Sequence, residues 1–195
     1  DRADKAGCAC LLLVEPEPQP LADPDRAAGA IERSRRVVQA AHLLGCNSAA
    51  IAIEGADDDA GFDNTVEAMR RVMEIAEQLE INLLINPRPG LTEAPDRVTD
   101  LIKKIGGFRV GTLPDFDAAA ASDDPELYLR RLTPYASAVL ATMHEFAEPE
   151  PKDTEPDPDK PGSLEDLAEM LMEQDAPEHV TFDVVPMLRA VSAVG

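Results

Sequence analysis

Short apolar runs alternate along the chain with segments whose apolar residues recur at helical spacing. Cys8 to Val14 is apolar at every position, the pattern of a strand covered on both faces. Asp23-Pro24 then predicts a helix start, Ala27, Ile31, Ser34, Val38 and Ala41 form one stripe, and Gly45 ends the helix. Ala49 to Ile53 reads as the next strand. Asn64, with Glu67 three residues on, predicts a capped helix carrying Val66, Met69, Met73, Ala76 and Leu79 on one face. Ile81 to Ile85 is a third strand, and Pro95 opens a helix with Val98, Leu101, Ile102 and Ile105 that Gly106 closes. Phe108 to Leu113, a short helix from Pro125 through Leu132, and a strand from Ala136 to Met143 complete the repeat. Strands alternating with amphipathic helices imply right-handed crossovers and a parallel sheet, an α/β fold.

Between about 147 and 162 the pattern stops. Glu148, Glu150, Asp153, Glu155, Asp157 and Asp159 interleave with Pro149, Pro151, Pro156, Pro158 and Pro161, which predicts an extended, solvated insertion inside a single domain spanning 1–195. A helix from Ser163 and Asp166 through Met172, and a last one from about Asp183 with Val185, Leu188 and Val191, are expected beyond it.

Charge narrows the partners. With 18 basic against 38 acidic side chains the net charge is −20, and only five of the basic residues are lysines. A field this negative repels phosphate backbones and anionic headgroups, so neither nucleic acid nor membrane is expected as a partner. It suits a salt-rich cytoplasm, where self-repulsion is screened. No apolar run approaches the roughly 20 residues of a membrane span, which predicts a soluble, cytoplasmic protein. Cys8, Cys10 and Cys46 lack CxxC spacing and are expected as buried free thiols rather than a disulfide or zinc site.

In parallel α/β folds the loops leaving the carboxyl ends of the strands build the site, because strand ends are rigid and helix N-termini point there. The residues following the apolar runs are Glu15, Glu54, Asn86, Asp115 and His144, the last four spaced by 32, 29 and 29 positions, about one βα unit each. On a shared rim these oxygen and imidazole donors suit a divalent ion such as Mn, Mg, Co or Zn. Asp115 stands between Pro114 and Phe116, an unusual setting for a merely solvating side chain, and His144 follows the last of these apolar runs. Arg88, in Asn86-Pro87-Arg88-Pro89-Gly90, is a candidate anion grip with Gly90 giving backbone access. His42 and His179 occupy no strand-end position. The chain carries no GxSxG, P-loop or GxGxxG, so serine hydrolysis, nucleotide hydrolysis and dinucleotide binding have no support.

Ala41-His42-Leu43-Leu44-Gly45-Cys46, Ile81 through Gly90, Gly111-Thr112-Leu113-Pro114-Asp115-Phe116 and the closing Phe182 to Gly195 resemble the xylose isomerase-like TIM-barrel superfamily, most closely its sugar phosphate isomerase/epimerase group. The resemblance implies a (β/α)8 barrel whose divalent metal is held by a glutamate after the fourth strand, an aspartate after the fifth, a histidine after the sixth and a glutamate after the eighth. Asp115 and His144 match the aspartate and histidine. Asn86 stands where the first glutamate is expected, and Ala118 where a histidine or asparagine often follows. The implied partner is a small sugar or sugar phosphate, and a homo-oligomer is compatible with the family. The superfamily's endonuclease branch, rich in histidine and basic side chains, does not fit three histidines and this net charge.

The strands match the second through sixth of the barrel, with a weak seventh near His179 to Thr181, so the first and eighth are not evident and the barrel in this chain is expected to be incomplete. A chain of 195 residues is shorter than the ~250 typical of the fold, and the polypeptide is expected to continue past both ends. The chemistry implied is metal-assisted proton transfer next to a carbonyl, with Glu54 as the substitute base, and Asn86 and Arg88 contacting the substrate. The alternative is a non-catalytic barrel that keeps a metabolite-binding mouth or interacts through its acidic surface.

Overall fold

The computed structural model describes residue 5 and residues 7–142, which all fall in one compact unit. His144, the acidic proline-rich stretch, the two last predicted helices and the weak seventh strand lie outside the described residues.

Four strands form one sheet in the order β1-β2-β3-β4, every neighbour parallel: β1 (Leu12–Val14), β2 (Ser48–Ala52), β3 (Asn82–Asn86) and β4 (Val110–Thr112). Between them run α1 (Ala27–Leu43), α2 (Asp59–Gln78) and α3 (Pro95–Ile105), and after β4 come α4 (Phe116–Ala121), α5 (Pro125–Leu132) and a 3-10 turn at Thr133–Tyr135. The alternation expected from the sequence is therefore present in the expected order, and the fold is α/β.

Register fixes the two faces. Ala50 lies beside Leu84 and Leu84 beside Gly111, with Val14 beside Ala50. Ala50, Leu84 and Leu113 cluster on one face with Leu12, Ala138 and Leu140 packed against them, so this face is the inner one. The intervening residues, Ile51, Leu83 and Ile85, are fully buried beneath the helices. Helix α2 contributes Phe62, Val66, Met69, Val72, Met73 and Ala76 from a single stripe. Fully burying a side chain of this size contributes about 1.5–3 kcal/mol, so the helix is held by packing and not by propensity.

Boundaries differ from the sequence expectation for identifiable reasons. Strand β1 keeps only three residues of the Cys8 to Val14 run, with Leu11, Cys8 and Cys10 exposed, because it is an edge strand covered by no neighbour on one side among the described residues. Of the three cysteines expected to be buried, only Cys46 is. Asp23 builds a turn before α1, its carboxylate accepting from the Asp25 N–H and its carbonyl from the Arg26 and Ala27 N–H groups. Helix α2 starts five residues before Asn64, where Asp58 accepts from the Gly61 N–H at 2.6 Å, and Asn64 instead donates from mid-helix to the Ala22 carbonyl at 3.1 Å. Phe108 is fully exposed ahead of β4. The segment after the 3-10 turn pairs with β4 and its exit at two points, Ala136 beside Thr112 and Leu140 beside Asp115, instead of as a continuous strand. Gly106 closes α3 as expected, at a φ of +77° that other residues rarely adopt.

Glu15, directly after β1, belongs to the packing between sheet and helix. Its buried carboxylate accepts from Arg33 of α1 at 2.9 and 3.2 Å and from the Glu17 N–H at 3.2 Å. The Arg33 bonds hold its pKa below the ordinary carboxylate range. A carboxylate whose native pKa is depressed stabilises the fold above its unfolded pKa, and that contribution is lost as pH falls through the native value.

Two outcomes follow for stability. Leu84→Ala, at the centre of the inner face, lowers unfolding free energy by about 2–5 kcal/mol in a urea titration. The stability advantage of the native chain over Glu15→Gln is full above about pH 4.3 and vanishes on acidification below it, read from thermal midpoints across a pH series.

Candidate functional site

All four strands point the same way, so their carboxyl ends share one edge of the sheet. Asn86 ends β3 beside Ala52 of β2, and the Leu113 N–H donates to the Ile85 carbonyl at 2.8 Å, carrying the β3–β4 register one step past the strand. Alternation then places Ala52, Asn86, Leu113 and, two residues further, Asp115 on the inner face above the apolar cluster. Two of the residues singled out from the sequence therefore come together here.

Asp115 is 6% exposed and caps α4. Among the described residues its side-chain hydrogen bonds both fall on Oδ1, from the Asp117 N–H at 3.1 Å and from the Thr142 hydroxyl at 2.8 Å. The flanking backbone is fixed as well, with Leu140 N–H donating to the Pro114 carbonyl at 2.8 Å and Phe116 N–H to the Leu140 carbonyl at 3.0 Å. The carboxylate is thus held in one orientation before any ligand arrives.

Asn86 is 2% exposed, and its side-chain oxygen has no hydrogen-bond partner among the described residues. An orphaned buried acceptor costs about 1–3 kcal/mol, which folded proteins tolerate mainly where a ligand, ion or water repays it. Tyr128 of α5 is also buried, its hydroxyl unpartnered among the described residues. Burial, and then the charge of Asp115, push its pKa up to about 12 against a small opposing effect of Arg88, so the phenol stays protonated. Arg88 itself is exposed, and its backbone is closed by Thr92, whose hydroxyl accepts from the Arg88 N–H at 3.0 Å and donates to the Arg88 carbonyl at 3.2 Å.

Glu54 follows β2 at the same edge but stands apart from this group. It is half exposed and ion-paired with Arg26 at 2.8 Å, in an open cleft lined by Pro20, Asp23, Gly55 and Asn64 that includes neither Asn86 nor Asp115. The loops beyond β2 and β3 are interlocked: the Leu91 N–H donates to the Gly55 carbonyl at 2.9 Å, and Gly90, at φ +98°, packs so closely on that carbonyl that a Cβ would collide with it. Gly90 thus serves contact between loops, where the sequence had suggested access for an anion. Arg97 of α3 ties the same loops, paired with Asp57 at 2.8 Å and Asp59 at 3.3 Å, donating to the Asp58 carbonyl at 3.1 Å and stacked 4.3 Å over Phe62.

Among the described residues no group of three or more His, Cys, Asp or Glu side chains is placed to hold a metal. The oxygen atoms of Asn86 and Asp115 are nevertheless hard donors of the type that Mg and Mn take. Tyr128 and Thr142 escaped the sequence analysis. Thr142 carries a weak signal, a hydroxyl two positions before His144 at the end of an apolar run, whereas nothing in the sequence distinguishes Tyr128 from a surface tyrosine.

No protein-family model matches the chain, and no curated protein does. Solved structures do match. An L-ribulose 3-epimerase superposes with a TM-score of 0.69 at 13% identity, covering 99% of this chain and 61% of that one. A xylose isomerase domain protein from Planctomyces limnophilus gives 0.62 at 12% identity, over 71% of this chain and 55% of that one. A xylose isomerase-like TIM-barrel protein from Mycobacterium smegmatis, in complex with magnesium, gives 0.60 at 16%, over 70% of this chain and 52% of that one. The chain shares the TIM-barrel fold of these neighbours and spans little more than half of their length. The described residues make up part of such a barrel.

Replacing the orphaned amide by an isosteric apolar group, Asn86→Leu, is expected to raise stability by about 0.5–1.5 kcal/mol, because the uncompensated acceptor is removed without leaving a void. A higher midpoint in urea denaturation checks it.

Proposed function

We propose that this chain belongs to a sugar or sugar phosphate isomerase/epimerase-like protein that moves a proton next to a substrate carbonyl with the help of a divalent ion. The observation that carries this is the juxtaposition of Asn86 and Asp115, both buried at the carboxyl edge of the parallel sheet, one with an unsatisfied oxygen and the other with a preset carboxylate. The fold shared with sugar epimerases supports it.

Asp115, the Asn86 amide oxygen and His144 would hold the ion, which when bound polarises a carbonyl and its neighbouring hydroxyl and so acidifies the adjacent C–H. Thr142 fixes Asp115 by its hydroxyl bond and leaves the other carboxylate oxygen for the ion. Arg88 contacts a hydroxyl or phosphate of the substrate from the rim. The protonated Tyr128 hydroxyl supplies a neutral donor beneath them. Glu54, the carboxylate that follows the neighbouring strand β2, accepts the proton, and it must first give up Arg26. A net charge of −20 favours a neutral ketose over a sugar phosphate as the substrate.

A second reading rests on Asn86. An amide can ligate a hard cation but cannot shuttle a proton, so the mouth would then bind a sugar without converting it.

Calorimetric titration of manganese into the native chain and into Asp115→Ala separates the two steps. Binding to the native chain that weakens at least about tenfold, or ~1.4 kcal/mol, in the variant supports the ion site, and equal binding removes it. With manganese present, solvent deuterium entering a ketose supports the isomerase or epimerase reading, and loss of exchange in Glu54→Gln identifies the base. Sugar binding without exchange supports the second reading.

A further inference from the structure

Cys10 and Cys46 lie at the opposite edge of the sheet from the candidate site. The register that pairs Leu12 with Ser48 continues below the strands, where the Asn47 N–H donates to the Leu11 carbonyl at 3.2 Å, and one step further it sets Cys10 beside Cys46. Their sulfurs are 2.8 Å apart. That is inside the roughly 3.5–4.0 Å at which even carbon-sized unbonded atoms rest. Neighbouring strands run ~4.8 Å apart, within the roughly 4.4–6.8 Å separation of Cα atoms that a disulfide bridges without moving the backbone.

We propose that Cys10 and Cys46 form a reversible disulfide that staples the edge strand β1 to β2. The oxidant is a small-molecule disulfide of the glutathione type. The exposed Cys10 attacks it first as thiolate, a sulfur–sulfur bond of the reagent breaks, and one thiol equivalent leaves. Cys46 then gives up its proton and attacks the Cys10 sulfur, releasing the second equivalent. Two protein thiols are oxidised, one reagent disulfide is reduced to two thiols, and the atoms balance.

The surroundings assign the order of events. Cys10 is exposed and open to the reagent, whereas Cys46 is buried with its thiol donating to the Cys10 sulfur, so Cys10 reacts first and Cys46 closes the bond. Burial first, and that bond second, push the Cys46 pKa up to about 11. Closure is therefore slow near neutral pH and accelerates about tenfold per pH unit toward that value, since only the thiolate attacks. The need for a staple is visible in β1 itself, three residues long at the sheet's edge with Leu11 exposed beside it. An edge this short frays, and a cross-link to β2 restrains it.

The test uses the full chain treated with oxidised glutathione, followed by peptide mapping and thermal melting with and without reductant. The expected product is a monomer lighter by two hydrogen atoms, with Cys10 linked to Cys46, a midpoint several degrees above the reduced chain, and slowed amide exchange in β1. The surface variant Cys10→Ser loses the shift and Cys8→Ser keeps it. A link through Cys8, intermolecular dimers, a persistent mixed disulfide with glutathione, or a cross-link that leaves the midpoint unmoved would each overturn the proposal.

Discussion

Parallel strands cannot be joined by a tight turn, so each must be followed by a crossover of a dozen or more residues that returns the chain to its starting edge. That constraint organises the molecule. It sends every strand of the sheet in the same direction, layers α1, α2 and α3 on one face, and gathers every strand exit on one edge. Because side chains alternate with a period of two, the pairing of Ala50, Leu84 and Gly111 in one rung also decides what stands above them. Asn86 and Asp115 reach the same face as the apolar cluster only because no residue is gained or lost between these rungs.

The edge that collects the strand exits is energetically different from the body of the sheet. Below it the inner face is closed by Leu12, Leu84, Leu113 and Leu140. Above it a carboxylate, an amide oxygen and a phenol are all buried, the last two without partners among the described residues. An interior optimised for stability alone would hold apolar groups in those places. Unsatisfied polar atoms beside a preset acid cost stability, and it is this cost that the ligand site proposed above would repay.

Much of this was legible in the sequence, and for physical reasons. The helices with strong periodicity, such as the Val98, Leu101, Ile102 and Ile105 stripe closed by Gly106, end where expected, since apolar spacing and a left-handed glycine act locally. The strand exits at Asn86 and Asp115 are legible because a polar residue that interrupts an apolar run marks the end of the strand. The start of α2 was missed because two adequate caps, Asp58 and Asn64, compete, and a tertiary bond to Ala22 occupies the second. The exposure of Cys8, Cys10 and Leu11 was missed because composition cannot tell a central strand from an edge one. Glu15 and Glu54 looked alike at their strand ends, yet one is bound beneath α1 by Arg33 and the other pairs with Arg26 in a separate cleft, a distinction made only by helices far along the chain. Tyr128 comes close enough to feel the charge of Asp115 through the fold alone.

The interlock of Gly55 with Gly90, reinforced by Arg97, makes the exits of β2 and β3 mechanically one piece. Two loops that share a backbone contact cannot hinge separately, so the rim there behaves as a fixed jaw. On the other side, among the described residues, the chain beyond β4 is joined to the sheet by two isolated pairings, a looser attachment than this jaw.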